Sequence, residues 1–193
     1  QMIRAPFFHE LRTKQQLGYA VHSHPVVFQD AIAFELVVQS PTHAPRDICN
    51  RLNTFVRETF VQQLKEMEEK VFEEFKTAVI NSKLEPPKRL AEESERYWVE
   101  IYFERYQWKR LEEEVELVKQ LTREDMTQFF MKHFISSAEN EESALRKLSV
   151  LVHGNKFPLE TNEKTADDAS VTRIESIAAF KNALPSFPRK KMQ

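Results

Sequence analysis

The residue types that most often bind metal ions are abundant in this chain, but they are not spaced as a helical zinc site requires. The sequence holds six histidines and 30 acidic residues. An HExxH site needs a histidine at both ends of the motif on one helix face, but His9 and Glu10 are followed by Leu11, Arg12 and Thr13. The inverted HxxEH order does not occur anywhere in the sequence. The motifs therefore predict no metal site in this chain.

Two other histidines lie close together in the sequence. His22 and His24 are two positions apart on a predicted strand. Their side chains therefore lie on one face and could share a metal ion. The sequence places no third ligand near them, and paired histidines on a strand are more often surface or interface residues. His133 and His153 are each isolated. We interpret all four as ordinary surface, interface or packing residues.

Nucleophilic and nucleotide-dependent chemistry also lacks its sequence signals. Cys49 has no neighbouring base, and no serine lies in a G-x-S-x-G turn. Gly18 and Gly154 are the only glycines and lie far apart, whereas a phosphate-binding loop needs glycines close together. The acidic run 112–114 is typical of a solvated helix face. These patterns exclude Walker-type and dinucleotide-binding sites and favour no catalytic pair.

Residues 11–19, with the sequence LRTKQQLGY, join a basic helix end to an aromatic strand start through the first glycine of the chain. Arg12 offers a planar set of N–H donors that stays charged, and Tyr19 offers a neutral hydroxyl donor. Such donors can hydrogen-bond carbonyl oxygens and stabilise developing negative charge. Alternatively, Arg12 interacts with a helix C-terminus and Tyr19 packs in a strand core. The residues alone leave both interpretations open.

A helix and a hairpin must position these residues. Apolar residues at helical spacing predict a helix from about Pro6 that ends before Gly18. Alternation of side chains predicts a strand that begins at Tyr19, a turn over 25–30 and a second strand over 32–38. The two strands should form an antiparallel pair.

Helices predominate in the rest of the chain. Helical periodicity predicts helices over 46–64, 71–79, 90–102, 111–118, 122–134 and 174–184. Thr122 and Asp125 have the spacing of a capping box. Alternation over 148–153 predicts a third strand, whose partners must be distant in sequence. The order of elements indicates an α+β fold in which helices pack on one face of a mainly antiparallel sheet.

The predicted organisation is one domain over 1–154, a mobile polar loop over 155–172 and a short helix with a tail over 173–193. Three strands are few for so many helices, and the chain starts at Gln1 inside an apparent helix. We therefore expect a partial domain that lacks its first strands. Its exposed apolar surface would favour self-association.

Charge and composition limit the partners. Lys plus Arg is 28 and Asp plus Glu is 30, so the formal net charge is −2, and we expect neither nucleic acid nor membrane as a partner. The single cysteine, Cys49, cannot form an internal disulfide. No apolar run is long enough to span a membrane. These observations favour a cytoplasmic location.

The LRTKQQLGY segment resembles an L-R-T-K-x-x-L-G-Y segment found in the C-terminal half of enzymes from the insulin-degrading-enzyme, or insulysin, branch of the pitrilysin family of zinc metallopeptidases. Five further segments look like the last domain of that family in the same order: 84–90 (LEPPKRL), 97–101 (YWVEI), 121–125 (LTRED), 149–153 (SVLVH) and 180–188 (FKNALPSFP). The resemblance therefore covers nearly the whole chain.

The resemblance implies that the chain is the C-terminal, substrate-contacting part of a zinc metalloendopeptidase that hydrolyses peptides in an enclosed chamber. In that family, zinc belongs to the N-terminal half, so residues 1–154 would be a partial C-terminal peptidase domain, inactive alone. Carried onto this sequence, Arg12 would hydrogen-bond carbonyls of the peptide substrate. Tyr19 would bind substrate near the carbonyl under attack and assist catalysis by stabilising the transition state. Gly18 would allow the backbone turn between them.

The resemblance also implies a weaker anion site. Lys83, Lys88 and Arg89 match a family cluster associated with binding ATP and other polyanions. Pro87 replaces a lysine of the family pattern, so the cluster carries one positive charge fewer here.

Two alternatives to a catalytic role stay open. The chain could be a non-catalytic binding or scaffold domain, or a separately encoded partner of a catalytic subunit. A zinc motif upstream in the same polypeptide would favour the peptidase over both alternatives.

Overall fold

A computed structural model describes residues 1–28, 31–135, 147–159 and 173–184. The chain divides into two units, residues 1–157 and 158–193. Most of the predicted loop 155–172 and the end of the predicted tail lie outside the described residues.

The chain begins with a helix whose hydrogen-bonding pattern changes along its length. Helix α1 spans Arg4–Phe8 and continues as a π-helical turn over His9–Lys14. Phe7 and Leu11 are fully buried on its inner side. The predicted N-terminal helix is thus confirmed, but its second half is wound more widely than an α-helix.

Two strands form an antiparallel hairpin after this helix. Strand β1 (Ala20–Phe28) pairs with strand β2 (Ala31–Gln39), which confirms the predicted pairing. The turn predicted over 25–30 is wrong for residues 25–28, because β1 continues through Pro25, which lies opposite Phe34. Residues 29 and 30 lie outside the described residues. Proline lacks an N–H donor and is tolerated only at sheet edges, and both strands border an edge of the sheet that the described residues form.

Helices make up most of the rest of the first unit. They are α2 (Pro45–Thr54) with a π-helical continuation (Phe55–Thr59), α3 (Phe60–Glu66), α4 (Glu69–Leu84), α5 (Leu90–Tyr102), α6 (Arg110–Gln120), and α7 (Arg123–Phe130) with a π-helical continuation (Met131–Ile135). The predicted capping box of α7 is confirmed. The Asp125 N–H donates to the Thr122 hydroxyl at 3.1 Å, and the Thr122 N–H donates to the Asp125 carboxylate at 2.9 Å.

The hydrophobic core lies where α1, β1 and the α2–α3 segment meet. Its buried residues are Ile3, Phe7, Leu11, Leu17, Val21, Phe55, Phe60, Val61, Leu64 and Phe130. The rings of Phe7 and Phe55 meet edge to face with centroids 5.3 Å apart. Phe34, Leu36 and Val38 of β2 pack against this core while partly exposed. Helices therefore cover one face of the hairpin, as the predicted α+β class requires.

The third predicted strand, over 148–153, is wrong for the described part of the chain. Leu148, Val150 and Val152 are 69%, 76% and 82% exposed, and the segment joins no strand among the described residues. Alternating apolar residues form a strand only when a neighbour supplies backbone hydrogen bonds. The alternating apolar pattern is present, but no strand among the described residues pairs with this segment.

In the second unit, helix α8 spans Ile177–Ala183. Its N-cap, Ser176, accepts a hydrogen bond from the Ala179 N–H at 3.3 Å. The short helix predicted over 174–184 is therefore confirmed in a shorter form. Within the described ranges of both units, no helix combines the length and the apolar character that crossing a membrane would need.

Candidate functional site

A tight reversal of the backbone joins the π-helical turn His9–Lys14 to the hairpin. Leu11 is fully buried and anchors the turn in the core, and its carbonyl accepts a hydrogen bond from the Leu17 N–H at 3.0 Å. Gln16 adopts a left-handed φ of 51°, which reverses the chain direction. The turn that the sequence analysis assigned to Gly18 is therefore made at Gln16.

Gly18 instead allows its own backbone to approach the backbone of Gln39 and Ser40 closely. A Cβ atom at this position would lie 1.9 Å from the carbonyl oxygen of Gln39 and 3.1 Å from the Cα of Ser40. Only glycine lets the start of β1 come this close to the end of β2. Gly18 thus fixes where the hairpin meets the π-helical turn.

Arg12 is held between two aromatic rings at this junction. Its Nη1 donates a hydrogen bond to the carbonyl oxygen of Tyr19 at 2.8 Å. Its guanidinium carbon lies 5.1 Å from the ring centre of Phe8 and 5.0 Å from that of Tyr19. Cation–π contacts of this kind favour one orientation of the guanidinium plane. The side chain is therefore partly preorganised before any ligand binds.

Tyr19 extends from this junction into solvent and is 85% exposed. The alternative that Tyr19 packs in a strand core is therefore wrong. The hydrogen bond of Arg12 goes to a carbonyl outside its own helix, but Arg12 lies in the last turn of that helix, so the electrostatic alternative stays open for Arg12. The structure brings these two predicted site residues into contact at the surface.

A hydrogen-bond network behind the π-helical turn connects it to α2. Arg51 of α2 donates from Nη1 to Gln15 Oε1 at 3.1 Å and from Nε to Asp47 at 3.0 Å. Gln15 in turn donates from Nε2 to Glu10 at 3.2 Å, and Lys14 pairs with the other oxygen of Glu10 at 2.9 Å. The hydrogen bonds from Lys14 and Gln15 lower the pKa of Glu10. Glu10 is thus kept ionised within the turn.

Two residues at this site, Phe8 and Arg51, are not among the residues predicted from the sequence. Phe8 lies four positions before Arg12, a spacing that brings side chains together on a helix, so its contact was detectable in principle. Arg51 reaches Gln15 across 36 positions, and no local pattern signals that contact.

The structure does not gather the predicted polyanion residues into a free cationic surface. Lys83 forms an ion pair with Glu114 of α6. Lys88 pairs with Glu85 at 2.6 Å. Arg89 contacts no carboxylate within the described ranges. Two of the three charges are therefore already neutralised by neighbouring acids.

The histidine pair on the hairpin does not complete a metal site. The rings of His22 and His24 stack with centroids 5.7 Å apart, and His24 Nε2 lies 3.0 Å from a carboxylate oxygen of Glu35. No group of three or more His, Cys, Asp or Glu in the described part of the chain has the arrangement to hold a metal ion. A zinc ion therefore does not fit the residues that the structure describes.

Comparison with known proteins identifies relatives over nearly the whole chain. The family described as PQQ synthase PqqF-like, C-terminal lobe domain 4, matches residues 1–98. The A-factor-processing enzyme of Saccharomyces cerevisiae is 36% identical over 184 residues, which are 95% of this chain and 17% of the relative. The insulin-degrading enzyme of Homo sapiens is 28% identical over 199 residues, with 99% of this chain and 19% of the relative covered.

Among solved structures, a crystal structure of pitrilysin has a similar fold. It superposes with a TM-score of 0.62 and 24% sequence identity over 81% of this chain and 17% of the pitrilysin chain. The α+β class is therefore shared with pitrilysin. The chain spans less than a fifth of the length of these curated relatives.

Proposed function

The chain belongs to the PqqF-like C-terminal lobe domain 4 family, within the insulin-degrading-enzyme branch of the pitrilysin peptidases. From this membership we propose that it is the substrate-contacting C-terminal part of a zinc metalloendopeptidase. Such an enzyme would hydrolyse peptides inside an enclosed chamber. The catalytic zinc would be bound by the N-terminal half of the same protein. The activity therefore belongs to the full-length protein, which we propose acts in the cytoplasm.

The observation that supports this role most is the contact between Arg12 and Tyr19 at an exposed surface. One N–H group of Arg12 is used by the Tyr19 carbonyl. Its other N–H groups donate to no other residue in the described ranges, so they are available to a ligand. The Tyr19 side chain is 85% exposed. Two donors of different chemistry are thus presented side by side.

Each donor suits one part of a bound peptide. The remaining N–H groups of Arg12 would donate to backbone carbonyl oxygens of the substrate, and the aromatic contacts would keep the guanidinium plane aligned for them. The neutral hydroxyl of Tyr19 would donate to the carbonyl under attack, where negative charge develops. Arg12 would then act mainly in substrate binding, and Tyr19 mainly in the chemical step.

This assignment is tested by peptide hydrolysis in the full-length enzyme. We expect Tyr19→Phe to lower kcat about 100-fold, because one donor to the oxyanion is removed while the ring is kept. We expect Arg12→Ala to lower kcat/KM about 10-fold, mainly through a higher KM, because hydrogen bonds to the bound peptide are lost.

Arg4→Ala is a matched control, since Arg4 is an exposed arginine on α1 and should leave both constants unchanged. Unchanged turnover in Tyr19→Phe and Arg12→Ala would refute the proposed roles. If the full-length protein binds peptide through Arg12 but does not cleave it, the non-catalytic binding domain, or the separately encoded partner of a catalytic subunit, replaces the peptidase.

Anion binding by Lys83, Lys88 and Arg89 is a weaker part of the proposal. Their closeness in sequence supports binding of ATP or another polyanion. The ion pairs of Lys83 with Glu114 and of Lys88 with Glu85 oppose it, because an anion would compete with two carboxylates.

A further inference from the structure

We infer that Arg51 of α2 is a positioning residue that acts through Gln15 to hold the π-helical turn carrying Arg12. This inference rests on the proposed function of Arg12, and it adds a residue from a different element of the fold to that site. Arg51 is not expected to touch the substrate.

The π-helical turn His9–Lys14 needs support from outside itself. A π-helix is a rare conformation that is usually limited to a single turn. Here the turn is followed by its C-cap Gln15 and then by the left-handed residue Gln16, a conformation that is unfavourable for a side chain with a Cβ atom. Leu11 is the buried residue of the turn, and the other residues of the turn are half-buried or exposed.

The hydrogen-bond network of Arg51, Gln15 and Glu10 supports the turn from outside. The Gln15 side chain uses both ends of its amide, since Oε1 accepts from Arg51 and Nε2 donates to Glu10. Both bonds are satisfied by one orientation of the amide. The Gln15 backbone N–H also donates to the Glu10 carbonyl at 3.0 Å. Glu10 and Gln15, which bracket Arg12 in sequence, are thereby tied together.

Arg51 itself is held in place by its own helix. Its Nε donates to Asp47, one turn earlier in α2, at 3.0 Å, which leaves Nη1 directed at Gln15. An anchored α-helix thus braces the less regular turn. This connection differs from an ordinary surface ion pair because it joins elements that are far apart in sequence.

The position of the turn determines where the guanidinium of Arg12 lies. Arg12 reaches the Tyr19 carbonyl at 2.8 Å, and a small rotation of the turn would break that bond. Displacement of a reacting group by an ångström can lower a rate strongly even when the mutation lies away from the chemistry. Loss of Arg51 should therefore weaken the function of Arg12 without removing Arg12.

The test uses the full-length enzyme and a matched arginine. We expect Arg51→Gln to lower kcat/KM about fivefold, the size that one half-exposed hydrogen bond from a charged group supports. Arg51→Lys should restore part of this loss because it keeps a cationic donor. Arg57→Gln is the control, because Arg57 is an exposed arginine just beyond α2, and it should behave as the unsubstituted enzyme.

A second comparison shows whether Arg51 acts through Arg12. In an Arg12→Ala background, Arg51→Gln should have no further effect on kcat/KM. An unchanged kcat/KM in Arg51→Gln alone would overturn the inference. An equal fivefold loss in both backgrounds would also overturn it, since Arg51 would then act by a general effect on stability.

Hydrogen exchange separates this inference from the proposed function. If Arg12→Ala has no effect on hydrolysis, the proposed function fails, and exchange in the segment 10–17 decides the inference. Faster exchange there in Arg51→Gln, but not in Arg57→Gln, supports the role of Arg51 in holding the turn. Equal exchange in the two variants contradicts it.

Discussion

The helix–hairpin region, which comprises α1, the π-helical turn His9–Lys14, β1, β2, α2 and α3, is held together differently from the region α4–α6. In the helix–hairpin region, Phe7, Leu11 and Phe55 are each at most 1% exposed. In α4–α6, Phe72 and Val115 are buried, and a network of ion pairs joins the helices. Buried apolar residues are thus more numerous in the first region, and the second region adds a charged network.

The charged network of α4–α6 is centred on a buried carboxylate. Glu100 is 4% exposed, and its Oε1 accepts a hydrogen bond from Arg110 Nε at 2.6 Å. Its Oε2 lies 3.5 Å from Arg105 Nε, close enough for an ion pair but without a hydrogen bond. Arg110 also donates to Glu114 at 2.6 Å, and Glu114 pairs with Lys83 of α4. Burying such charges is costly unless every one is paired.

The surfaces of the two regions differ as well. On and after α5, large aromatic side chains remain exposed, and they include Tyr97, Trp98, Tyr102, Tyr106 and Trp108. In the helix–hairpin region, the exposed aromatic residue Tyr19 instead accompanies a positioned arginine. The predicted site residues Arg12 and Tyr19 thus lie in the region with more buried apolar residues, where side-chain positions are more strongly fixed.

The largest expected effect comes from the contact between the turn and the hairpin. We predict that Gly18→Ala destabilises the protein by about 3 kcal/mol, because the new Cβ would overlap the Gln39 carbonyl and both groups belong to the backbone. Denaturant unfolding of the full-length protein, with hydrogen exchange of β1 and β2, measures this loss.

Gly154→Ala is the matched control for that experiment. A Cβ atom at Gly154 meets nothing within 4 Å, so its substitution should change stability by less than about 0.5 kcal/mol. Equal effects of Gly18→Ala and Gly154→Ala would show that the helix–hairpin region is not tightly packed at this contact.

A smaller effect is expected from acidification, and in α4–α6 it should act through Glu114. Burial alone raises the pKa of Glu114, but hydrogen bonds from Lys83 and Arg110 outweigh it, so its pKa lies below the ordinary 4.5. A carboxyl whose pKa is lowered by folding stabilises the protein above its ordinary pKa, and this contribution is lost as the pH falls through the folded-state pKa. Protection of α6 from hydrogen exchange, corrected for the intrinsic effect of pH on amide exchange, should therefore decrease as the pH falls below about 4.5.

Glu114→Gln provides the matched comparison. It should remove most of this pH dependence and cost about 1 kcal/mol at neutral pH, because the charged pairs of a partly exposed group are lost. If acid lowers this corrected protection in β1 and β2 as much as in α6, the contrast between the two regions is wrong.

The sequence predicted those features whose causes are local. The capping box of Thr122 and Asp125 depends on residues three positions apart, and it is present as expected. The pairing of β1 with β2 follows from alternation on both sides of a short connection. Arg12 and Tyr19 were singled out from nine consecutive residues and do lie in contact.

Features that depend on distant residues were not predictable in this way. The segment 148–153 alternates like a strand, but pairing requires a partner that the segment itself does not specify. The function of Gly18 depends on Gln39, and the support of Gln15 comes from Arg51. Pro25 was read as a turn residue because its neighbour across the strand was unknown.

The central claim is that Tyr19 lies against a bound peptide in the full-length enzyme. The most direct measurement replaces Tyr19 with the photo-crosslinking residue p-benzoylphenylalanine and illuminates the enzyme with a peptide substrate. Tyr102, which is 71% exposed on α5, is replaced in the same way as the control. We expect a covalent peptide adduct at position 19 and none at position 102. No adduct at position 19, or equal adducts at both positions, would contradict it.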